Sequence, residues 1–244
     1  MANEPASRHI SFSTIALKDK TENISKQMMA LPLFLGMSGN DIDELMSNHK
    51  IAHHVYSEKR IVVAADEPCN GLIIVASGKL SVITESDDHS YTVEETFPSP
   101  GVIQPERVFG LSPRYSRTFV TKEKSTIVYI PKKDVVSLSD HYQIFRINLL
   151  NTISSQVQRL ARMPWRHTPD TLRGRIVRFV YTRCMLPAGE KTVIIKMAHL
   201  AKELNAPRLN ISKELHAMES EGLIELMRNK IIVKQLEKAI EPHS

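Results

Sequence analysis

Residues 197–233, MAHLAKELNAPRLNISKELHAMESEGLIELMRNKIIV, decide the fold of the C-terminal third of this chain. Met197, Leu200, Ala201 and Leu204 recur at helical spacing. Asn205-Ala206-Pro207 ends that helix, because proline has no amide hydrogen and disfavours a helical residue before it. A second helical pattern follows, with Leu209, Ile211, Leu215, Met218 and Leu223 on its apolar side. Arg208, Asn210, Ser212, Lys213 and His216 lie among them as polar, hydrogen-bonding neighbours. Gly222 suits the helix C-terminus. Residues 223–227 and 231–233 then read as two short strands joined at Arg228-Asn229-Lys230. Two helices about a tight turn, followed by a small hairpin, form the pattern of a winged helix-turn-helix.

Charge follows the same division. Residues 159–244 hold 16 Lys and Arg against 9 Asp and Glu, a net of +7, whereas the rest of the chain carries −2. The positive excess sits where the motif sits, as neutralisation of DNA phosphates requires. The composition, 42% hydrophobic and 24% charged over 244 residues, is that of an ordinary folded protein with room for two domains. No apolar run approaches the roughly 20 residues that cross a bilayer, and the first residues lack the apolar core of a secretory signal. A cytoplasmic location without membrane contact is therefore expected. Cys69 and Cys184 stand far apart, which excludes a CxxC pair or a four-cysteine metal site within one chain. No Gly-rich phosphate loop, GxSxG elbow, HExxH helix or clustered acid pair is present, and Glu94-Glu95 on a strand face apart, so neither a catalytic residue nor a metal ligand is named.

Residues 1–24 are weakly patterned and read as a flexible tail. From residue 25 to about 49, short helices are separated by Pro32 and Gly36, with an N-cap expected at Ser38-Gly39-Asn40-Asp41. Between 51 and 130 the texture changes to β-branched runs at 61–63, 72–75, 80–83, 91–93, 119–121 and 127–130, set apart by turn residues. That spacing predicts an antiparallel sandwich or barrel. Residues 140–163 carry no Gly or Pro. There Tyr142, Phe145, Leu149, Ile153, Gln156, Leu160 and Met163 alternate by three and four, the seam of a paired helix, and predict a homodimer. Pro164 ends this helix, Trp165-Arg166-His167 forms a joint, and Thr168-Pro169 opens the next helix as N-cap and first residue. Arg173, Arg175, Arg178 and Arg183 on that helix could touch phosphate, although a solvated face is the commoner role.

This order of a β-roll, a long helix and a winged helix-turn-helix resembles the Crp/Fnr family of bacterial transcription regulators. The resemblance spans about residues 26–235 and is carried by GLIIVASGKLSVI at 71–83 and PRLNISKELHAMESEGLIE at 207–225. It implies an α+β fold in four parts: a tail to 24, a β-roll sensor resembling cyclic-nucleotide-binding domains at 25–138, a dimerisation helix at 139–163, and a DNA reader at 164–244. It further implies a sequence-specific regulator binding an inverted-repeat operator in double-stranded DNA, with RNA polymerase as a partner. Arg208, Leu209 and Lys213 fall where family members read bases, with Asn210, Ser212 and His216 beside them, while Arg228 and Lys230 at the wing tip suit phosphates. Members using the best-known operator have a glutamate where this chain has Leu209, so that operator is not expected here.

Cyclic-nucleotide binders of the family carry Phe-Gly-Glu followed by Arg-Ser or Arg-Thr. Here the stretch is GVIQPERVFGLSPRYSRTFV, in which Gln104-Pro105-Glu106 replaces the Gly-Glu and only Arg117-Thr118 survives. Pro105, Glu106, Arg107, Arg117 and Thr118 are the effector-pocket candidates, and cyclic AMP is not expected as the effector. PERVFGL looks more like regulators of anaerobic Bacteroidetes that answer nitrosative or redox stress, some of which bind haem. Any haem would be held non-covalently, since CxxCH is missing, and spacing marks no ligand; adjacent His53 and His54 point to opposite faces of a strand. The alternatives are a cyclic-nucleotide-responsive regulator of the same fold, or a protein-interaction module that does not bind DNA.

Overall fold

The computed structural model describes residues 18–48, 51–162 and 169–240. The first helix, α1 (Lys18–Met29), begins inside the segment read as a tail. Ile24 and Met28 explain its order, because both are buried in the core of the roll. A single turn at Pro32–Phe34 leads to α2 (Gly39–Asn48). Ser38 and Asp41 cap α2 reciprocally: Asp41 N–H donates to Ser38 Oγ at 3.2 Å, and Ser38 N–H to Asp41 Oδ2 at 2.9 Å.

Eight strands follow: β1 (Ala52–Tyr56), β2 (Ile61–Val63), β3 (Gly71–Ser77), β4 (Leu80–Glu85), β5 (Tyr91–Phe97), β6 (Gly101–Ile103), β7 (Thr118–Thr121) and β8 (Ser125–Pro131). Six match expected runs. β1 and β6 do not, because His53-His54 interrupts the β-branched texture and Gly101 belongs to a stretch that reads as a turn. One sheet is ordered β1-β8-β3-β6, and the other contains β5-β4-β7-β2. All pairs are antiparallel. β3 is buried along nearly its whole length, and Leu72, Ile74, Leu80, Val82, Phe119, Val128 and Ile130 fill the roll. At the β3–β4 turn Gly78 takes φ +97°, and a Cβ there would lie 2.2 Å from Ser125 Oγ. Only glycine fits that turn.

The helix expected from residue 140 is two helices. α3 (Lys132–His141) and α4 (Gln143–Arg162) meet at Tyr142, which is extended at φ −114°, ψ 97°. The seam expected to pair two chains packs instead inside one chain. Phe145 and Leu149 are buried in the roll core, with Tyr142 and Ile153 against it, and the Phe145 ring lies 5.6 Å from that of Phe34. Gln156 accepts from Arg159 Nη2 at 3.0 Å, and Leu160 is exposed. Met163, the stop at Pro164, the joint at Trp165-Arg166-His167 and Thr168 lie outside the described residues. α4 has a second apolar stripe, Ile147, Leu150, Val157 and Ala161 with Ser154 between, and this one faces outward.

The C-terminal unit comprises α5 (Leu172–Arg183), β9 (Lys191–Ile195), α6 (Met197–Leu204), α7 (Arg208–Ser220), β10 (Ile224–Met227), β11 (Lys230–Val233) and α8 (Leu236–Ala239). The cap of α5 is Thr171, whose Oγ1 accepts from Gly174 N–H at 3.0 Å, so the helix opens after Pro169 rather than with it. Ile176, Phe179, Val180, Leu200, Leu204, Ile211, Leu215 and Met218 form a second core. α6 stops at Asn205, in the left-handed region at φ 45°. α7 ends in a Schellman arrangement, with Gly222 N–H donating to Glu219 O at 2.9 Å and Leu223 N–H to Met218 O at 3.1 Å. The arrangement is that of a winged helix-turn-helix. Its sheet is not separate: β9 pairs with β11 on one side and with β5 on the other, giving a seven-stranded sheet β10-β11-β9-β5-β4-β7-β2.

Candidate nucleic-acid interface

α7 buries Ile211, Leu215 and Met218 at helical spacing and thereby turns its other face outward. Arg208, Leu209, Asn210, Lys213 and His216 are exposed on α7, and Ser212 is half-buried. Leu209 is 66% exposed, unusual for a leucine in the first turn of a helix that has its own core. Pro207 at the N-cap leaves the first amides of α7 without a side-chain cap. The hairpin β10–β11 turns at Arg228-Asn229, with Asn229 at φ 57°, so Arg228 is exposed at its tip and Lys230 half-buried beside it. Among the described residues, Arg208, Lys213, Arg228 and Lys230 make no ion pair. Four cations left to solvent on one unit, flanking an exposed helix face, form a surface suited to a polyanion.

Other charges on the unit hold it together instead. Arg173 donates through Nε to Glu214 at 2.8 Å and through Nη1 and Nη2 to Glu221 at 2.8 and 2.6 Å, fixing α5 to the middle and the C-terminal end of α7. Those bonds hold the Glu221 carboxyl below its ordinary range. Arg175 Nη1 donates to Leu204 O at 3.0 Å, and Arg183 pairs with Glu203 at 2.6 Å. These three arginines are therefore structural, neither phosphate contacts nor a plain solvated face. Glu219 was not anticipated: its Oε1 accepts from Leu226 N–H at 2.9 Å and its Oε2 meets His216 Nδ1 at 3.3 Å, so it sets the wing against α7. Only its i+3 spacing from His216 could have marked it.

In the roll, the effector candidates come together but offer a poor donor set for a cyclic phosphate. Pro105 and Arg107 lie in a single helical turn, Pro105–Arg107, which packs on α4, and Pro105 has no N–H. Gln104 is buried at φ 37° and closes the loop with its own amide: Oε1 accepts from Ser116 N–H at 3.0 Å and Nε2 donates to Ser116 Oγ at 2.7 Å. Arg117 Nε donates to Thr84 Oγ1 at 2.8 Å, and Thr118 Oγ1 accepts from Ala65 N–H at 3.0 Å. Burial draws the Arg117 pKa down, while the carboxylates of Glu95 and Glu106 act to raise it. Glu106 Oε2 and Arg107 Nε are buried without a hydrogen-bond partner. Of the groups that would receive phosphate, Pro105 removes one amide and Arg117 Nε is already engaged, while Arg107 Nε is left without a partner. Glu94 and Glu95 do face apart, Glu94 half-exposed and Glu95 buried. Among the described residues no cluster of three or more His, Cys, Asp or Glu could hold a metal, and no helix is long and apolar enough to cross a membrane.

Residues 53–142, under half of the chain, match the cyclic nucleotide-binding domain family. There is no match among curated proteins. Among solved structures, the chain is similar to the catabolite activator protein of Thermus thermophilus, at 18% identity over 86% of this chain and 98% of that one, with a TM-score of 0.46. It is similar to a Crp/Fnr-family transcriptional regulator of Eubacterium rectale, at 19% identity over 87% and 99%, with a TM-score of 0.49. It also resembles the c-di-GMP-responsive global regulator CLP of Xanthomonas campestris, at 18% identity over 81% and 99%, with a TM-score of 0.47.

Proposed function

We propose that this protein is a sequence-specific, double-stranded DNA-binding transcription regulator of the Crp/Fnr type, with the roll as its regulatory domain. The observation that carries the reading is the exposed face of α7, bearing Arg208, Leu209, Asn210, Lys213 and His216, next to the unpaired cations of the wing tip. α7 enters the major groove, where its first residues meet base edges, and Arg228 and Lys230 hold flanking phosphates. The active form is a homodimer, because an inverted repeat needs two readers, and the outward stripe of α4 at Ile147, Leu150, Ser154, Val157 and Ala161 keeps the three-four spacing of a helix pair. RNA polymerase is the partner such a regulator addresses.

The roll reports a signal other than a cyclic nucleotide, since Gln104, Pro105 and the Arg117–Thr84 bond leave little to receive a phosphate. A redox or nitrosative signal, with haem held non-covalently, is the alternative that the PERVFGL stretch brings, and a Soret band in the purified protein tests it directly. Binding to genomic DNA fragments under a salt titration tests the whole reading. Selective retention of a few fragments, with affinity falling steeply as salt rises, is expected. Affinity that is equal for all fragments overturns the sequence-specific reading, and no affinity overturns it in favour of a protein-interaction module.

A further inference from the structure

The two cores exchange residues across the seven-stranded sheet. Val93, on a roll strand, is fully buried in the core of the C-terminal unit, whereas Met185, beyond α5, is buried in the core of the roll. Between them lies an ion pair closed to solvent. Glu95 and Lys191 stand directly opposite on β5 and β9, with Lys191 Nζ 3.0 Å from Glu95 Oε2 and side-chain exposures of 0% for Glu95 and 1% for Lys191. Glu95 also accepts from the backbone N–H groups of Met185 and Leu186, the latter at 2.9 Å, and Lys191 Nζ also donates to Ala188 O at 2.8 Å. A second tie closes the far end of β5: Tyr91 Oη receives Arg183 Nε at 2.6 Å, and its ring stacks edge-on against Phe179 at 5.2 Å. On the roll side, Arg159 of α4 donates to Met185 O at 2.7 Å, and the charge of Arg117 lies within electrostatic reach of Glu95.

We infer that Glu95 is the junction of an inter-domain latch: it fixes the DNA reader to the roll in one orientation, and opening the latch changes the affinity for DNA. A roll carboxylate that accepts two amides and an ammonium from the C-terminal unit ties the two units through one buried charge. Any movement that parts β5 from β9 must break this pair. A buried ion pair is sensitive to this, because loss of one partner leaves an uncompensated charge in a dry site. The sheet ladder and the pair then open together, as two packed states do. The inference rests on reading the C-terminal unit as a DNA reader, so one arm of its test needs no DNA.

Cys184 supplies that arm. It is buried beside the latch, and burial, with the charge of Glu95, pushes its thiol up to about 12, so it resists alkylation when the latch is closed. Cys69, buried in the roll, reports on global unfolding. In Lys191→Met, which removes a charge that lowers the thiol and so disfavours the thiolate, alkylation of Cys184 is nevertheless expected to rise at least tenfold while Cys69 is unchanged, and adding Glu95→Leu is expected to restore protection. Unchanged Cys184, or both cysteines accelerating together, overturns the latch. The second arm cross-links Thr92→Cys to Ile194→Cys, positions directly opposed across β5 and β9. Reducing that disulfide is expected to change affinity for retained genomic fragments at least tenfold. Equal affinity in both states overturns the coupling. Failure to retain any DNA, with Cys184 responding as expected, rejects the DNA reading and leaves the latch standing.

Discussion

Replacing Leu150 by glutamate distinguishes the two seams of α4. Ile147, Leu150 and Val157 are 43%, 57% and 56% exposed in the single chain. Burying a whole side chain of this kind contributes about 1.5–3 kcal/mol, so each half-exposed residue has roughly 1 kcal/mol left to gain, or about 6 kcal/mol over both protomers. Association itself costs at least about 4 kcal/mol, which makes the pairing sensitive to a single position. Leu150→Glu takes an apolar side chain out of the seam on each protomer and brings two carboxylates together across a symmetric interface. The loss is about 3 kcal/mol or more, or at least about a hundredfold in dissociation constant. Leu149→Ala, one residue away, acts differently. Leu149 is buried against the roll, so the change should lower stability by about 2–5 kcal/mol while the chain still pairs. Sedimentation velocity over a concentration series, with urea unfolding in parallel, reads both quantities. A Leu150→Glu protein that sediments as the wild type does, or a Leu149→Ala protein that is monomeric yet fully stable, refutes the assignment of faces.

Arg208→Ala should cost roughly 1–3 kcal/mol on an operator and relax preference at one base pair per half-site, because a guanidinium matches guanine O6 and N7. Lys230→Ala should weaken all sites alike and flatten the salt dependence by about one charge for each phosphate the side chain no longer neutralises, and a series of single-base operator variants would expose any reversal of these roles. Calorimetry should show no micromolar binding of cyclic AMP, and binding abolished by Arg117→Ala would contradict the reading of Gln104 and Pro105. Gly78→Ala, forced into φ +97° against Ser125, should cost about 1–3 kcal/mol of strain and repacking, measured as a lower urea midpoint. Arg173 lowers the Glu221 pKa in the fold, so its bond adds stability above the ordinary carboxylate range that is lost as pH falls through the lowered value. The stability gap between wild type and Arg173→Met should therefore narrow below about pH 4, and a gap independent of pH would refute the ion pair.

The reader was legible because each of its boundaries has local chemistry. Pro207 suits the start of α7 and ends the helix before it, Gly222 takes the left-handed position that closes α7, and the Arg228-Asn229 turn needs the positive φ that Asn229 supplies. The exposed positions of α7 follow from its buried ones by helical spacing alone. The roll was legible as alternating short strands, but β9 went unmarked: KTVII is a β-branched run like the others, yet it stands alone between helices, and its partners β5 and β11 are set by the fold rather than by its neighbours. The most consequential error was the seam of α4, and its cause is physical. A helix with apolar residues at 145, 149 and 153 and again at 147, 150 and 157 carries two stripes, each with the three-four spacing of a partner surface. Sequence spacing states that both stripes will be covered and does not state by what. Phe145 resolves this only in three dimensions: Phe34, from a segment more than a hundred residues earlier, supplies the ring it packs on. The same logic hid Glu95. A carboxylate on a strand reads as a surface residue until Lys191, Met185 and Leu186 arrive from the far end of the chain to satisfy it. Bonds that join the roll to the C-terminal unit are therefore the ones local pattern cannot supply, and under the proposed function they are the bonds through which a signal in one unit would pass to the other.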